Sequence, residues 1–253
     1  MHMDAPYNRE SSAYDENQES RSTIRVAPAY ITLPKETSSF YSFVKRLFDI
    51  VLALIFIPLL SPLLLLVCLL IRVSSPGEAI FKQTRVGQYG KPFQIYKFRT
   101  MTVNAPPEMA TQKFIDADQY VTRVGKILRR TSLDELPQLI NILMGDMSLI
   151  GPRPLVPCEK EIHKLRLARN IYSLKPGITG LAQINGRDLV KPEEKVDLDE
   201  RYLKSFSLHT DVKIFFKTIY VVLSRKGILD GCQRKKEPEI NSLDAYRSHV
   251  EKL

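Results

Sequence analysis

The chain has 253 residues, room for one large domain or two small ones, and its 44% apolar content excludes a chain disordered throughout. The formal net charge of +9 rests on residues beyond the first 40, which themselves hold four Lys/Arg against six Asp/Glu. A basic body calls for an anionic partner and leaves nucleic acid, a lipid surface and phosphorylated substrates open. The three cysteines, Cys68, Cys158 and Cys232, form no CxxC pair, and the histidines at 2, 163, 209 and 249 have no ligand spacing, so neither a disulfide framework nor a zinc site is indicated.

Residues 1–40 are rich in Ser, Glu, Asn and Tyr without a sustained apolar period and read as a flexible tail. A short amphipathic piece around 24–33 is interrupted by Pro28 and Pro34. Then comes Ile50–Ile71, 22 residues without a charge. As a helix it reaches about 33 Å, enough for a hydrocarbon core of about 30 Å. It starts far from the N-terminus and no small-residue cleavage site follows, which argues against a signal peptide. Pro58 and Pro62 interrupt its hydrogen bonding, and Ser61 has a hydroxyl able to serve a freed carbonyl. Both flanks are basic, with Lys45 and Arg46 before and Arg72, Lys82 and Arg85 after, which draws both ends to the cytoplasmic side. Two arrangements fit: an ordinary span with a kink, or a helix that enters, bends at Ser61-Pro62 and returns.

Next, Phe81–Met101 has turn signals at Gly87 and Gly90-Lys91-Pro92, and Phe93–Arg99 alternates as a strand. Extended, it sets Lys97 and Arg99 on one side about 7 Å apart, a spacing that suits a phosphate grip or a solvated strand face. Pro106-Pro107 opens a loop reaching Gln119. Helices are expected over 121–130 and 162–174, the latter ended by Lys175-Pro176-Gly177. The apolar run 212–223, with Lys213 and Lys217 interspersed, fits a core helix, the preferred reading, or a helix lying on a membrane surface, and the residues from about Arg234 are polar again.

The chemistry concentrates in Arg129–Gln138. Ser132 and Glu135 have capping-box spacing, and Pro137 suits a first turn, so a plain helix start accounts for the segment. The same geometry offers free N–H groups that attract phosphate and lower a carboxylate's pKa. On that reading Asp134 is ionised and nucleophilic, Glu135 holds a divalent cation, and Arg129 neutralises a transferred phosphate. Mg²⁺ suits carboxylate and phosphate oxygens. Adjacent helical side chains diverge by about 100°, so both carboxylates share one site only at an irregular start. Downstream, Arg153 stands between Pro152 and Pro154 with its backbone pre-set, and Lys175–Arg187 is a glycine-rich loop that includes Gln183 and Arg187 but no Walker A or GxGxxG pattern.

Taken in order, Lys45-Arg46-Leu47-Phe48-Asp49, Ser61-Pro62, Tyr96–Met101, Ser132–Gln138, Gly145–Pro154 and Pro176–Arg187 resemble the monotopic phosphoglycosyl transferases, the initiating sugar transferases of bacterial glycan assembly. The resemblance covers about Tyr41 to Arg225. It implies an α+β, mainly helical protein with a flexible tail over 1–40, a re-entrant membrane helix over 41–73 broken at Ser61-Pro62, a cytosolic catalytic domain over 74–230 with a small β-hairpin, and a polar tail over 231–253. It also implies attack by Asp134 on a UDP-sugar, release of UMP and transfer of the phosphosugar to a polyprenyl phosphate. Glu135 and Asp134 then hold Mg²⁺, Arg129 and Arg153 contact phosphate, and Lys97, Arg99, Gln183 and Arg187 serve substrate. The setting is the cytoplasmic face of the bacterial inner membrane, with lipid bilayer and no nucleic acid as partner and a homodimer compatible. Residues 1–40 have no counterpart in the minimal family core, and the several spans that precede it in larger members are absent. Two rivals remain: a membrane-anchored basic protein that recruits an anionic polymer, and a catalytically dead scaffold for glycan assembly.

Overall fold

A computed structural model of the chain describes residues 39–105, 117–186 and 191–224. The expected tails and Arg187 lie outside the described residues, apart from the last two positions of the first tail. The described chain is mainly helical, with two small two-stranded sheets.

Helix α1, Ser39–Ser74, is 36 residues long, about 54 Å if straight. Asp49, Ala53, Val67 and Ile71 on one face are buried, joined by the partly covered Phe56, Ile57, Leu60 and Leu64 at three- and four-residue steps. The opposite face carries exposed Leu54, Leu59, Leu65 and Leu69. Only 11% of its most apolar window is buried, whereas a helix in a soluble core is mostly covered. It is long and apolar enough to cross a membrane.

The expected break at Ser61-Pro62 is not an interruption: helical conformation continues through Pro58 and Pro62. Pro62 has no N–H for the carbonyl four residues back, that of Pro58. Ser61 Oγ donates to this carbonyl at 2.8 Å. Ser61→Ala is expected to lower stability by about 1 kcal/mol, a fall of roughly 2–4 °C in a detergent thermal melt; an unchanged melt means that the carbonyl finds another donor.

Both ends of α1 are fastened to the rest of the chain. Near its start, Tyr41 Oη and Lys45 Nζ donate to Asp211, Arg46 donates to the carbonyls of Ile142 and Leu143, and Asp49 accepts the Leu149 N–H at 2.9 Å. Past its end, Arg99 donates to the carbonyls of Ser75 and Pro76. Between these points α1 enters two apolar clusters, through Ala53 beside Ile95, Leu139, Ile142 and Met147, and through Val67 and Ile71 beside Ala79, Phe98 and Leu128.

Strands β1 (Ile80–Val86) and β2 (Pro92–Phe98) form the expected hairpin, paired from Ile80↔Phe98 to Val86↔Pro92. Helix α2, Arg123–Thr131, starts where Thr122 accepts the Gly125 N–H, and α3 spans Gln138–Met144. Strands β3 (Ser148–Ile150) and β4 (Gly177–Thr179) pair in parallel, the second of them inside the segment read as a glycine-rich loop. Here the glycines serve close backbone approach: a Cβ on Gly177 would lie 2.1 Å from the Gly151 nitrogen.

Helix α4, Lys160–Ala168, stops short of the expected 162–174 because Asn170 turns left-handed at φ 56 and a 3-10 turn, Ile171–Ser173, follows. A four-residue α5 (Leu181–Ile184) precedes α6 (Pro192–Lys204) and α7 (Leu208–Ser224). The expectation that 212–223 is core is half corrected. Ile214 and Val221 are buried, but Phe216, Tyr220 and Leu223 are 64%, 60% and 77% exposed, because among the described residues no element covers their side of α7.

Candidate active site

Helix α2 ends at Thr131, and Ser132 turns left-handed at φ 57, its N–H returning to the Arg129 carbonyl. A single 3-10 turn, Leu133–Glu135, then leads through Pro137 into α3. The expected capping box does not form. Ser132 is the C-cap of the preceding helix, and its side chain makes no cap hydrogen bond, since an N-cap needs the extended conformation. The tight turn supplies the irregularity that lets neighbouring Asp134 and Glu135 line one cleft.

That cleft has a volume of about 1010 Å³ and brings together Lys97, Arg129, Asp134, Glu135, Arg153 and Gln183. Glu135 Oε1 accepts Lys97 Nζ at 3.1 Å and Arg153 Nη2 at 2.9 Å. Arg129 Nε donates to Thr100 Oγ1 at 2.9 Å. Arg99 also borders the cleft, but its fork is taken by Ser75 and Pro76, so it fastens the end of α1 instead of pairing with Lys97. Gln183 Nε2 reaches the Gly151 carbonyl only at 3.5 Å, and its Oε1 is buried without a protein partner.

The two carboxylates differ. Burial pushes Asp134 up to about 6, helped by Glu135 and opposed by Lys97, Arg129 and Arg153. This reverses the expected direction, because a three-residue turn offers less positive potential than a helix start and desolvation dominates. Burial acts on Glu135 too, but Arg153 and Lys97 outweigh it and hold this carboxyl well below the usual range. Lys97 is lowered by burial, against the pull of Glu135. One neighbour is therefore a fixed anion and the other titrates near neutrality.

Two arginines bordering the cleft went unassigned in the sequence. Arg85 donates to the Pro154 carbonyl and to Gln83, and burial, reinforced by Arg153, lowers it to about 10. Arg166 forms a buried ion pair with Asp199 at 2.6 Å and donates to the Arg153 carbonyl at 2.8 Å. The available signal was a charge on the apolar stripe of each helix: Arg166 follows His163 by three, and Asp199 lies midway between Val196 and Tyr202.

Among the described residues no cluster of three or more His, Cys, Asp or Glu could hold a metal ion. Asp134 and Glu135 fit Mg²⁺ only in its phosphate-assisted form, in which one or two carboxylates share the ion with substrate oxygens and water. Glu135 Oε2 is the atom left for it, since Oε1 already takes two cations.

A family model described as bacterial sugar transferase matches residues 40–225. The UDP-glucose:undecaprenyl-phosphate glucose-1-phosphate transferase of Escherichia coli (strain K12) is 43% identical over 204 residues, 78% of this chain and 43% of that protein. The UDP-N-acetylgalactosamine-undecaprenyl-phosphate N-acetylgalactosaminephosphotransferase of Aeromonas hydrophila is 45% identical over 199 residues, 75% of this chain and 46% of that protein. The exopolysaccharide production protein ExoY of Sinorhizobium fredii is 38% identical over 224 residues, 82% of this chain and 99% of that protein. The chain thus spans less than half of the first two relatives and nearly all of the third.

Proposed function

The chain belongs to the bacterial sugar transferase family, and from that premise we propose that it moves a sugar-1-phosphate from a UDP-sugar to undecaprenyl or a related polyprenyl phosphate, releasing UMP and initiating a bacterial glycan. The observation that carries this is the pairing of a titratable carboxylate with a fixed one, ringed by Lys97, Arg129 and Arg153 in one cleft.

An oxygen of ionised Asp134 attacks the β-phosphorus of the donor. The bond from that phosphorus to the bridging oxygen breaks, and UMP leaves with the electron pair. The phosphosugar is then an acyl phosphate on Asp134. A phosphate oxygen of the polyprenyl acceptor attacks the same phosphorus, and Asp134 departs as carboxylate, giving a polyprenyl diphosphate sugar. Arg129 and Arg153 offset charge on the phosphates, while Lys97 and Arg153 keep Glu135 ionised. Asp134 and Glu135 would hold Mg²⁺, which when bound supplies neutralisation of the donor diphosphate.

The membrane arrangement belongs to the same proposal. Residues from Tyr41 to Arg99 fasten both ends of α1 to one globular unit, while its other face is exposed and apolar. A helix crossing the bilayer would put its ends on opposite sides of a hydrocarbon core of about 30 Å, where one globular unit could not hold both. Shared attachment supports a re-entrant helix that dips into the inner membrane from the cytoplasmic face, where the basic flanks also belong.

The direct test gives the detergent-solubilised protein Mg²⁺, undecaprenyl phosphate and a panel of UDP-sugars and follows UMP. Release with one or two sugars, lost on chelation, names the reaction and the donor together; no release with any sugar from folded protein removes the reading. A pH profile adds to it. Protonated Asp134 is not a nucleophile, so kcat/KM is expected to fall as pH drops through about 6. A flat profile between about pH 5 and about pH 8 would assign the attack to another group.

A further inference from the structure

The cleft has two kinds of wall. Around Asp134 stand the charged groups already described, but the same cavity is bordered by Phe56 and Leu60 of α1, Leu139 of α3, Ile178 of β4 and Val222 of α7. Phe56, Leu60, Leu139 and Ile178 belong to one apolar cluster, so this wall is continuous. The link to α7 passes through Thr179, next to Ile178, whose hydroxyl shares a 2.8 Å hydrogen bond with Thr218. Apart from the flat face of its uracil, a nucleotide sugar is polar, so the donor accounts for little of such a continuous apolar wall. Both elements that close it, α1 and α7, carry exposed apolar residues on their outer sides, among them Leu59 at 66% and Phe216 at 64%. The cavity is thus bordered by the same two helices that carry exposed apolar surface on their other sides.

Resting on the function proposed above, we propose that this wall is the binding site for the first isoprene units of the acceptor, with α1 and α7 as the two sides of a corridor through which the lipid's phosphate reaches Asp134. The corridor matches an amphiphile with one anionic end and an apolar tail: the phosphate meets Arg129 and Arg153, and the tail lies on Phe56, Leu60 and Val222. The assignment also explains why a membrane helix packs into the catalytic core instead of acting as a detached anchor. Leu60 precedes Ser61, whose hydroxyl keeps the helix continuous through this stretch.

The test uses the full chain in detergent with two variants, Val222→Asn and Leu60→Asn, at partly covered positions of the wall. Each is expected to raise the KM for polyprenyl phosphate about tenfold, the scale of losing one or two buried methylenes. The KM for UDP-sugar, read from UMP exchange without acceptor, is expected to move less than about twofold. Val222→Ile, which keeps an apolar surface, should stay near wild type. A readout free of turnover is thermal protection by geranyl phosphate: wild type is stabilised more by it than by inorganic phosphate, and the Asn variants lose that surplus. Equal changes in both KM values would assign the wall to the donor or to general packing, and unchanged acceptor KM in folded variants would make it a passive lipid contact; either overturns the corridor. A wild-type protein without UMP exchange but with geranyl phosphate protection would overturn the proposed reaction and leave the binding site standing.

Discussion

Asp134→Asn is expected to lower transfer by at least about 10³-fold and, at the same time, to raise the melting temperature of the protein above about pH 6. The two effects have one cause. Burial and the neighbouring Glu135 hold the Asp134 carboxyl at about 6, above its ordinary 3.8. A raised carboxyl favours the fold in its neutral form. That contribution is complete below the ordinary value and is lost as pH rises through about 6. Asparagine is neutral at every pH and keeps it. The gap in melting temperature between variant and wild type should therefore open from about pH 4 and level off above about pH 6. Melting curves at about pH 5 and about pH 7.5 together with UMP release measure both effects. A variant that is inactive and less stable at both values points to damage of the turn, and one that retains activity puts the nucleophile elsewhere.

Arg166→Met is expected to be the most destabilising of the single substitutions considered, by about 3–5 kcal/mol, because it strands the buried Asp199 carboxylate. That is a fall of roughly 6–20 °C for a chain of this size. Burial already pushes Asp199 up despite Arg166 beside it, so the pair is maintained against a desolvation cost. Arg166→Met combined with Asp199→Leu replaces both charges by apolar side chains of similar volume and should recover most of the loss. Activity should not recover with it, since Arg166 also donates to the carbonyl of Arg153, the residue whose guanidinium holds Glu135. Calorimetry and kcat on the three variants separate these roles. Recovery of both quantities in the double variant makes the pair a support for helix packing alone.

Local signals carried much of this molecule. The uncharged run 50–71, the turn glycines around residues 87–90 and the alternation of 93–99 each fix an element through its own neighbours, and α1, β1 and β2 appear where they should. The turn at Asp134-Glu135 was legible for a different reason: the two carboxylates are adjacent in sequence, so any irregular start brings them together. Burial was harder to read. Nothing local states that Asp134 is desolvated, and its pKa direction came out reversed. Arg99 was read from strand alternation as a partner of Lys97, but its fork is claimed by carbonyls more than twenty positions away. Strands β3 and β4 are three residues each and exist only through their pairing, which leaves no period to find. For α7 both a core and a membrane-surface placement stayed open, because an apolar run of that length looks the same whether protein or lipid covers it.

The fastening of α1 also has a consequence for how the chain is made. Tyr41 and Lys45 find Asp211 170 and 166 residues later, and Asp49 finds Leu149 100 residues later. At about 5–20 residues per second, the ribosome needs roughly 8–35 s to bring Asp211 within reach. Throughout that interval the newborn helix is already apolar enough to enter the bilayer, while Lys45, Arg46 and Asp49 lack their final partners and must stay hydrated at its edge. Under the re-entrant arrangement proposed above, the nascent helix is held at the water boundary by groups whose protein contacts arrive last, and the timing of synthesis itself discourages its start from being drawn across before the domain has formed to receive it.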